Sequence, residues 1–126
     1  MVYMKNIILL LLLLMSSISL GNNLDSKKID GQYSFSGSGH INTLKIIHKN
    51  KIPFGKISTS HSSGCLGEVS GELKILSNKN LLLDKNDSEG KCLLEIIILK
   101  NKIQVNEKSC IDFHGSSCDF NMMVKK

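Results

Sequence analysis

Glu68-Val69-Ser70-Gly71-Glu72-Leu73-Lys74-Ile75 alternates without a break, with Val69, Gly71, Leu73 and Ile75 on one face. Glu68, Ser70, Glu72 and Lys74 take the other. Successive side chains of an extended chain point to opposite faces, so this stretch reads as a half-buried β-strand with its apolar face on a core. The flanking sequence has the same punctuation. Upstream, Tyr33 and Phe35 share a face before Gly37-Ser38-Gly39, and Leu44 and Ile46 share one before the turn Lys49-Asn50-Lys51. Ile52 and Phe54 open a return strand that reaches about Thr59. Pro53 donates no ladder hydrogen bond, which places that strand at an edge or a bulge. Ser60–Gly64 is a polar loop leading to Cys65.

Downstream, Asn78-Lys79-Asn80 turns into Leu81-Leu82-Leu83, and Lys85–Gly90 forms a longer polar loop. Cys92–Leu99 is apolar except at Glu95, the pattern of a central strand buried on both faces. Lys100–Lys102 turns into Ile103-Gln104-Val105, and Phe120–Val124 supplies a closing strand. No stretch of this region repeats with a helical period. The expected fold is all-β, an antiparallel meander of about seven or eight strands. It closes as a small barrel or stacks as a sandwich, either of which buries the apolar face and limits open edges.

The N-terminus has a different character. Lys5 precedes an apolar run from Ile7 to Leu20, and Ser19 and Gly21 are small residues suited to signal-peptide cleavage before Asn22. The run is shorter than the roughly 18–20 residues a membrane-spanning helix needs. No cysteine stands near the cleavage point to carry a lipid, so no stable membrane anchor is expected after cleavage. The chain divides into a signal peptide at 1–21, a flexible segment at 22–30 and a single β-domain at 31–126. Its expected location is periplasmic or secreted.

A domain of this size buries only a thin core, and covalent staples stabilise such domains. Cys65, Cys92, Cys110 and Cys118 all lie in the exported part, where an even count reads as two disulfides with three possible connectivities. Closeness in sequence favours Cys110 with Cys118, which leaves Cys65 with Cys92. His61-x-x-x-Cys65 and His114-x-x-x-Cys118 repeat one spacing that could present two nitrogens and two sulfurs to zinc. Export favours disulfides instead, and neither segment has a paired Cys-x-x-Cys knuckle. No metal and no cofactor is expected.

The net charge is +5, and every one of the 16 basic residues is lysine. Guanidinium groups read guanine edges and grip phosphate in pairs, so their absence argues against specific nucleic-acid recognition. The chain has no Gly-x-Ser-x-Gly elbow, no His-Glu-x-x-His helix and no glycine-rich phosphate loop. Glu68 and Glu72 form the only carboxylate pair of interest, but a strand puts both on the solvent face with Ser70 between them. Asp112 lies two residues from His114, close enough for local hydrogen bonds. A small hydrolase would need His114, Asp112 and a glutamate gathered in one concave site. Recognition by a polar surface is the better expectation, with Glu68, Ser70, Glu72, Asp112 and His114 as the candidate residues and no catalytic residue assigned.

From Cys65 onward the chain resembles a family of small exported bacterial proteins, some of them lysozyme-inhibitor-like. The resemblance rests on Cys65-Leu66-Gly67-Glu68-Val69-Ser70-Gly71, on Cys92-Leu93 with Ile96, on Val105-Asn106-Glu107 before Cys110, and on His114-Gly115-x-x-Cys118-x-Phe120. It covers residues 65–120. Met122 and Val124 stand where the family usually has a glycine and an aromatic after the phenylalanine. The resemblance implies an envelope or secreted β-domain that inhibits a lysozyme-type enzyme, a non-catalytic binding role with a secreted or periplasmic protein partner. No enzyme-contacting motif transfers residue by residue. The alternatives are a periplasmic structural or stress-related protein and, less favoured, a small secreted hydrolase.

Overall fold

The computed structural model describes residues 29–125; the expected signal peptide and nearly all of the 22–30 segment lie outside them. Eight strands follow in chain order: β1 (Gly31–Gly37), β2 (His40–Lys49), β3 (Ile52–His61), β4 (Leu66–Ile75), β5 (Asn80–Asp87), β6 (Gly90–Ile98), β7 (Lys102–Ser109) and β8 (Met122–Lys125). Each is antiparallel to the next, and the sheet curls into a nearly closed barrel. A single 3-10 turn, Ile111–Phe113, interrupts the path from β7 to β8.

Tight turns set the register of the first three strands. Ser38 and Gly39 have φ of 53° and 80°, and Asn50 and Lys51 have φ of 51° and 67°. Two consecutive left-handed residues form the two-residue hairpin turn whose twist matches that of the flanking strands. Glycine and asparagine enter that region readily, whereas lysine is strained there.

Alternation then fills the barrel. Leu44 and Ile46, Ile57, Val69 and Leu73, Leu81 and Leu83, Leu94 and Ile96, and Ile103 and Val105 all point inward, with Phe120 beneath the closing segment. Each such side chain contributes roughly 1.5–3 kcal/mol through removal from water.

Three details depart from the sequence expectation. Ile75 is exposed, because β4 runs three residues past its last partner in β3, the pair Phe54 and Glu72, and the overhang has no neighbour there to cover it. β3 is an interior strand; Pro53 is tolerated because it sits near the strand's tip, beyond the reach of the β3–β4 ladder. The outer face of β6 is half-buried rather than buried, with Leu93, Glu95 and Ile97 outward and Cys92, Leu94, Ile96 and Ile98 inward.

The disulfides join Cys65 to Cys118 and Cys92 to Cys110, which overturns the expected pairing of Cys110 with Cys118 and Cys65 with Cys92. Cys92 and Cys110 close the far end of the β6–β7 hairpin, one step beyond the pair Leu93 and Ser109, with 4.0 Å between their Cα atoms. Cys65 lies just before β4 and anchors the 115–118 segment to it, and a side chain at Gly115 would collide with its sulfur at 2.7 Å. Loop lengths of 18 and 53 residues correspond to roughly 3 and 4 kcal/mol in the chain-entropy account.

Closure of the barrel relies on side chains. Asn42 in β2 donates both amide hydrogens, to the carbonyls of Asp119 (3.0 Å) and Asn121 (2.9 Å). Its own carbonyl accepts from Thr59 (2.6 Å), its cross-strand partner in β3. Asn121 in turn accepts from the Glu107 amide at 2.8 Å. The 119–121 segment thereby ties β2 and β3 to β7 without a strand ladder.

Two outcomes follow. Lys51→Gly removes a left-handed non-glycine residue, worth about 1–2 kcal/mol, against about 0.5–1 kcal/mol of added unfolded-chain entropy; thermal unfolding should show a small rise in stability. Asn42→Ala leaves two backbone carbonyls and the Thr59 hydroxyl without their partner, and chemical denaturation should show a loss of about 2–3 kcal/mol or more.

Candidate functional site

β4 carries the first three expected binding residues where alternation puts them. Val69 and Leu73 are buried, and Glu68, Ser70 and Glu72 face solvent. Glu68 pairs with Lys56 of β3 at 3.3 Å, both well exposed. Glu72 has no basic side chain within salt-bridge distance among the described residues. Beside Glu68 the surface turns apolar, with Leu66 70% and Ile41 55% exposed. These two side chains, with Thr43, Ser58 and Glu68, border a shallow depression of about 460 Å³. Large apolar side chains gathered beside fixed polar groups form the kind of patch that protein partners use.

The start of β4 is immobilised from below. Gly67 pairs with His114 in an isolated antiparallel bridge, and the Gly115 amide donates to the Leu66 carbonyl at 3.2 Å. A Cβ at Gly67 would lie 2.4 Å from that of His114, so only glycine lets the two backbones approach this closely. Together with the Cys65–Cys118 bond, this contact sets the carboxylate face of β4 on a rigid base.

Asp112 and His114 do other work. Asp112 accepts from the Lys91 amide at 2.9 Å and so fastens the 3-10 turn to the start of β6. Gly90 has φ of +141° and leaves room for that carboxylate. His114 does not meet Asp112. Its Nε2 donates to both carboxylate oxygens of Glu107, each at 2.9 Å, and its Nδ1 donates to the Gly115 carbonyl at 2.6 Å. The ring packs edge-on against Phe120, and only 3% of its side chain remains exposed. Glu107 also accepts from the Phe120 amide at 3.1 Å.

Both imidazole nitrogens face acceptors, which is the arrangement of a charged imidazolium. Burial works against that charge. The Gly115 carbonyl, the hydrogen bond and negative charge of Glu107, and the charge of Asp119 outweigh it, and the His114 pKa lies above its ordinary 6.5. Glu107 is the residue that the sequence reading passed over. It continues the inward face of Ile103 and Val105 in β7, so the same alternation that finds the core places a carboxylate at its end.

His61 and His40 lie at the β2–β3 end with ring centroids 4.3 Å apart, and His61 bonds to Ser63 at 2.7 Å. The sulfurs of Cys65 and Cys118 are bonded to each other, so the repeated His-x-x-x-Cys spacing does not supply two thiolates. No group of three or more metal-ligating side chains occurs among the described residues.

The His114 pair makes stability depend on pH with a definite sign. A folded pKa above the unfolded 6.5 means the contribution is complete below 6.5 and disappears as pH rises through the elevated value. Chemical denaturation across that range should show stability falling on the alkaline side, and His114→Gln should flatten that limb. No family model, curated protein or solved structure matches the chain.

Proposed function

We propose that this chain is an exported, non-catalytic binding protein whose recognition surface is the solvent face of β4 and whose partner is a basic secreted or periplasmic protein. A lysozyme-type enzyme is the class that the sequence resemblance implies. The observation that carries the reading is the contrast between the two groups of candidate residues. Asp112 and His114 are held in buried or backbone-directed bonds that knit the fold together. Glu68, Ser70 and Glu72 are presented to solvent on a strand pinned by a disulfide and a glycine-mediated bridge.

A pinned strand loses little conformational freedom on association, so more of its contact energy appears as affinity. The chain as a whole is basic at +5, which slows encounter with a basic partner. On the β4–β5 side Glu68, Asp84, Asp87 and Glu89 pair with Lys56, Lys74 and Lys85, and Glu72 is the carboxylate there without a lysine partner among the described residues, which makes it the local attraction for a basic segment. The two disulfides fit an oxidising compartment, in line with an exported protein.

Residues 22–126 immobilised on a resin should retain a lysozyme from a mixture of secreted proteins and reduce its rate of cell-wall hydrolysis. Glu68→Gln together with Glu72→Gln should leave the melting temperature nearly unchanged, since exposed carboxylates contribute little to stability. The same pair should weaken retention roughly tenfold at low ionic strength and less in high salt. Retention that is insensitive to both substitutions would move the site away from β4.

A further inference from the structure

β4 serves two ladders in succession. Leu66–Glu72 pairs with β3, whereas only Leu73–Ile75 pairs with β5, through Leu83–Leu81. Past Leu73 and Leu83 the two strands part, and a groove of about 460 Å³ opens between Ser70–Glu72 on one side and Asp84–Asp87 on the other.

The backbone of that groove can be assigned by parity. Within a strand, alternate residues direct both N–H and C=O to the same side. The Leu66 carbonyl accepts from Gly115, and the Leu76 amide donates to Asn80, both on the side of β4 that faces away from β3. Ser70 and Glu72 lie between these positions with the same parity, in a strand whose register with β3 has no shift. Both therefore direct N–H and C=O to this side. The Asp84 amide donates to the Glu72 carbonyl in closing the Leu73–Leu83 pair, so the Ser70 N–H and C=O and the Glu72 N–H are the groups left to point into the groove. On the opposite wall, Asn80 fixes the same parity for Asp84 and Asn86. Beyond that Asp84–Glu72 bond, no strand pairs with these positions on that side among the described residues.

Two further features describe what could enter. His114 already lies on this edge of β4 as a one-residue strand, so the edge is competent for pairing, and the 3-10 turn leaves it unused beyond Glu68. Gly71, between the two free positions, faces inward, and a Cβ built there meets nothing within 4 Å. The groove thus has room on its inner side for a modest apolar side chain. On the outer side stands Glu72. The neighbouring lysines are engaged: Lys74 with Asp84 at 3.5 Å, and Lys85 with Asp87 and Glu89 at 3.8 and 3.0 Å.

We infer that the β4 edge at Ser70 and Glu72 is a strand-addition site for an extended segment of a basic protein, with lysine or arginine outward against Glu72 and an apolar residue inward beside Gly71. Main-chain bonds to Ser70 and Glu72 supply the affinity and the alternating side chains the selectivity. The inference rests on the reading of β4 as the recognition surface and specifies how that surface is used.

The probe is acetyl-KVKVKV-amide, followed by amide hydrogen exchange in residues 22–126. In the free protein, Ser70 and Glu72 should exchange much faster than Val69 and Gly71, whose amides face β3. Saturating peptide should slow Ser70 and Glu72 more than tenfold. A peptide N-methylated at alternate backbone positions, or acetyl-EVEVEV-amide, should slow them far less. Ser70→Pro deletes an N–H that the β3 ladder does not use, and Gly71→Val fills the inner space; each should keep the melting temperature within a few degrees and abolish the protection. Ser70 and Glu72 amides as slow as Val69 in the free protein would overturn the inference, since the edge would already be paired. Equal protection by the N-methylated peptide, or protection that grows with protein concentration alone, would also overturn it, the latter pointing to a second copy as occupant. Peptide protection without retention of any lysozyme would uphold strand addition and remove only that partner class.

Discussion

Asn42 holds the barrel shut. A meander of eight antiparallel strands has two free ends, β1 and β8, and no ladder joins them here. The carboxamide of one buried side chain instead grips two carbonyls of the segment that leads into β8, while Thr59 fixes its orientation. Asn42 and Thr59 are the only buried polar residues among those described, and every one of their side-chain hydrogen-bonding groups in this network is matched. A polar group in a dry core is tolerated only when fully bonded, so this pair also specifies one closure geometry over its alternatives. The core beneath it, Phe120 included, is enclosed because that geometry is met.

The same segment gathers the remaining constraints. Asn121 reaches β7, Glu107 holds both His114 and the Phe120 amide, and Cys118 is bonded to the residue before β4. Titratable chemistry is thus placed in two zones. One lies under the closing segment, where His114 and Glu107 form a half-buried ion pair that couples protonation to folding. The other lies on the outer wall at β4 and β5, where carboxylates meet water and contribute little to stability. A surface of the second kind is free to serve recognition, because changing it does not endanger the fold.

Most of the architecture was legible in the alternation of small groups of residues. Val69 and Leu73 identified the inward face of β4, and from them the exposure of Glu68, Ser70 and Glu72 followed. Ile75 escaped that rule because strand ends overhang, and an overhang depends on partner lengths that a single strand does not encode. The cysteine pairing had a usable signal that sequence proximity concealed. Cys92 and Cys110 stand at nearly equal distances from the Lys100–Lys102 turn, so the hairpin brings them close together; its regular register would set Cys92 opposite Ser109, and the bulge beside Leu93 and Leu94 shifts the pairing by one. Glu107 was legible too, as the continuation of Ile103 and Val105. His114 as its partner was not, since that contact arises only when the chain folds back across the end of the barrel. The divergence of β4 from β5 likewise depends on two ladders of unequal length meeting on one strand.

The Asn42 contacts span 77 and 79 positions along the chain, whereas the Ser38-Gly39 and Asn50-Lys51 turns join immediate neighbours. Hairpins of the second kind form in about 1–10 microseconds. A contact between the second strand and the last requires the intervening chain to exist and to be collapsed. During synthesis from the N-terminus, β1, β2 and β3 can therefore zip together early, yet Asn42 has nothing to grip until residue 121 has emerged. Up to that moment the apolar faces of a half-built sheet stand open. Folding of this domain is completed only when residues 119–121 are in place, so a chain that stops before them is left unsealed however well its first hairpins have formed.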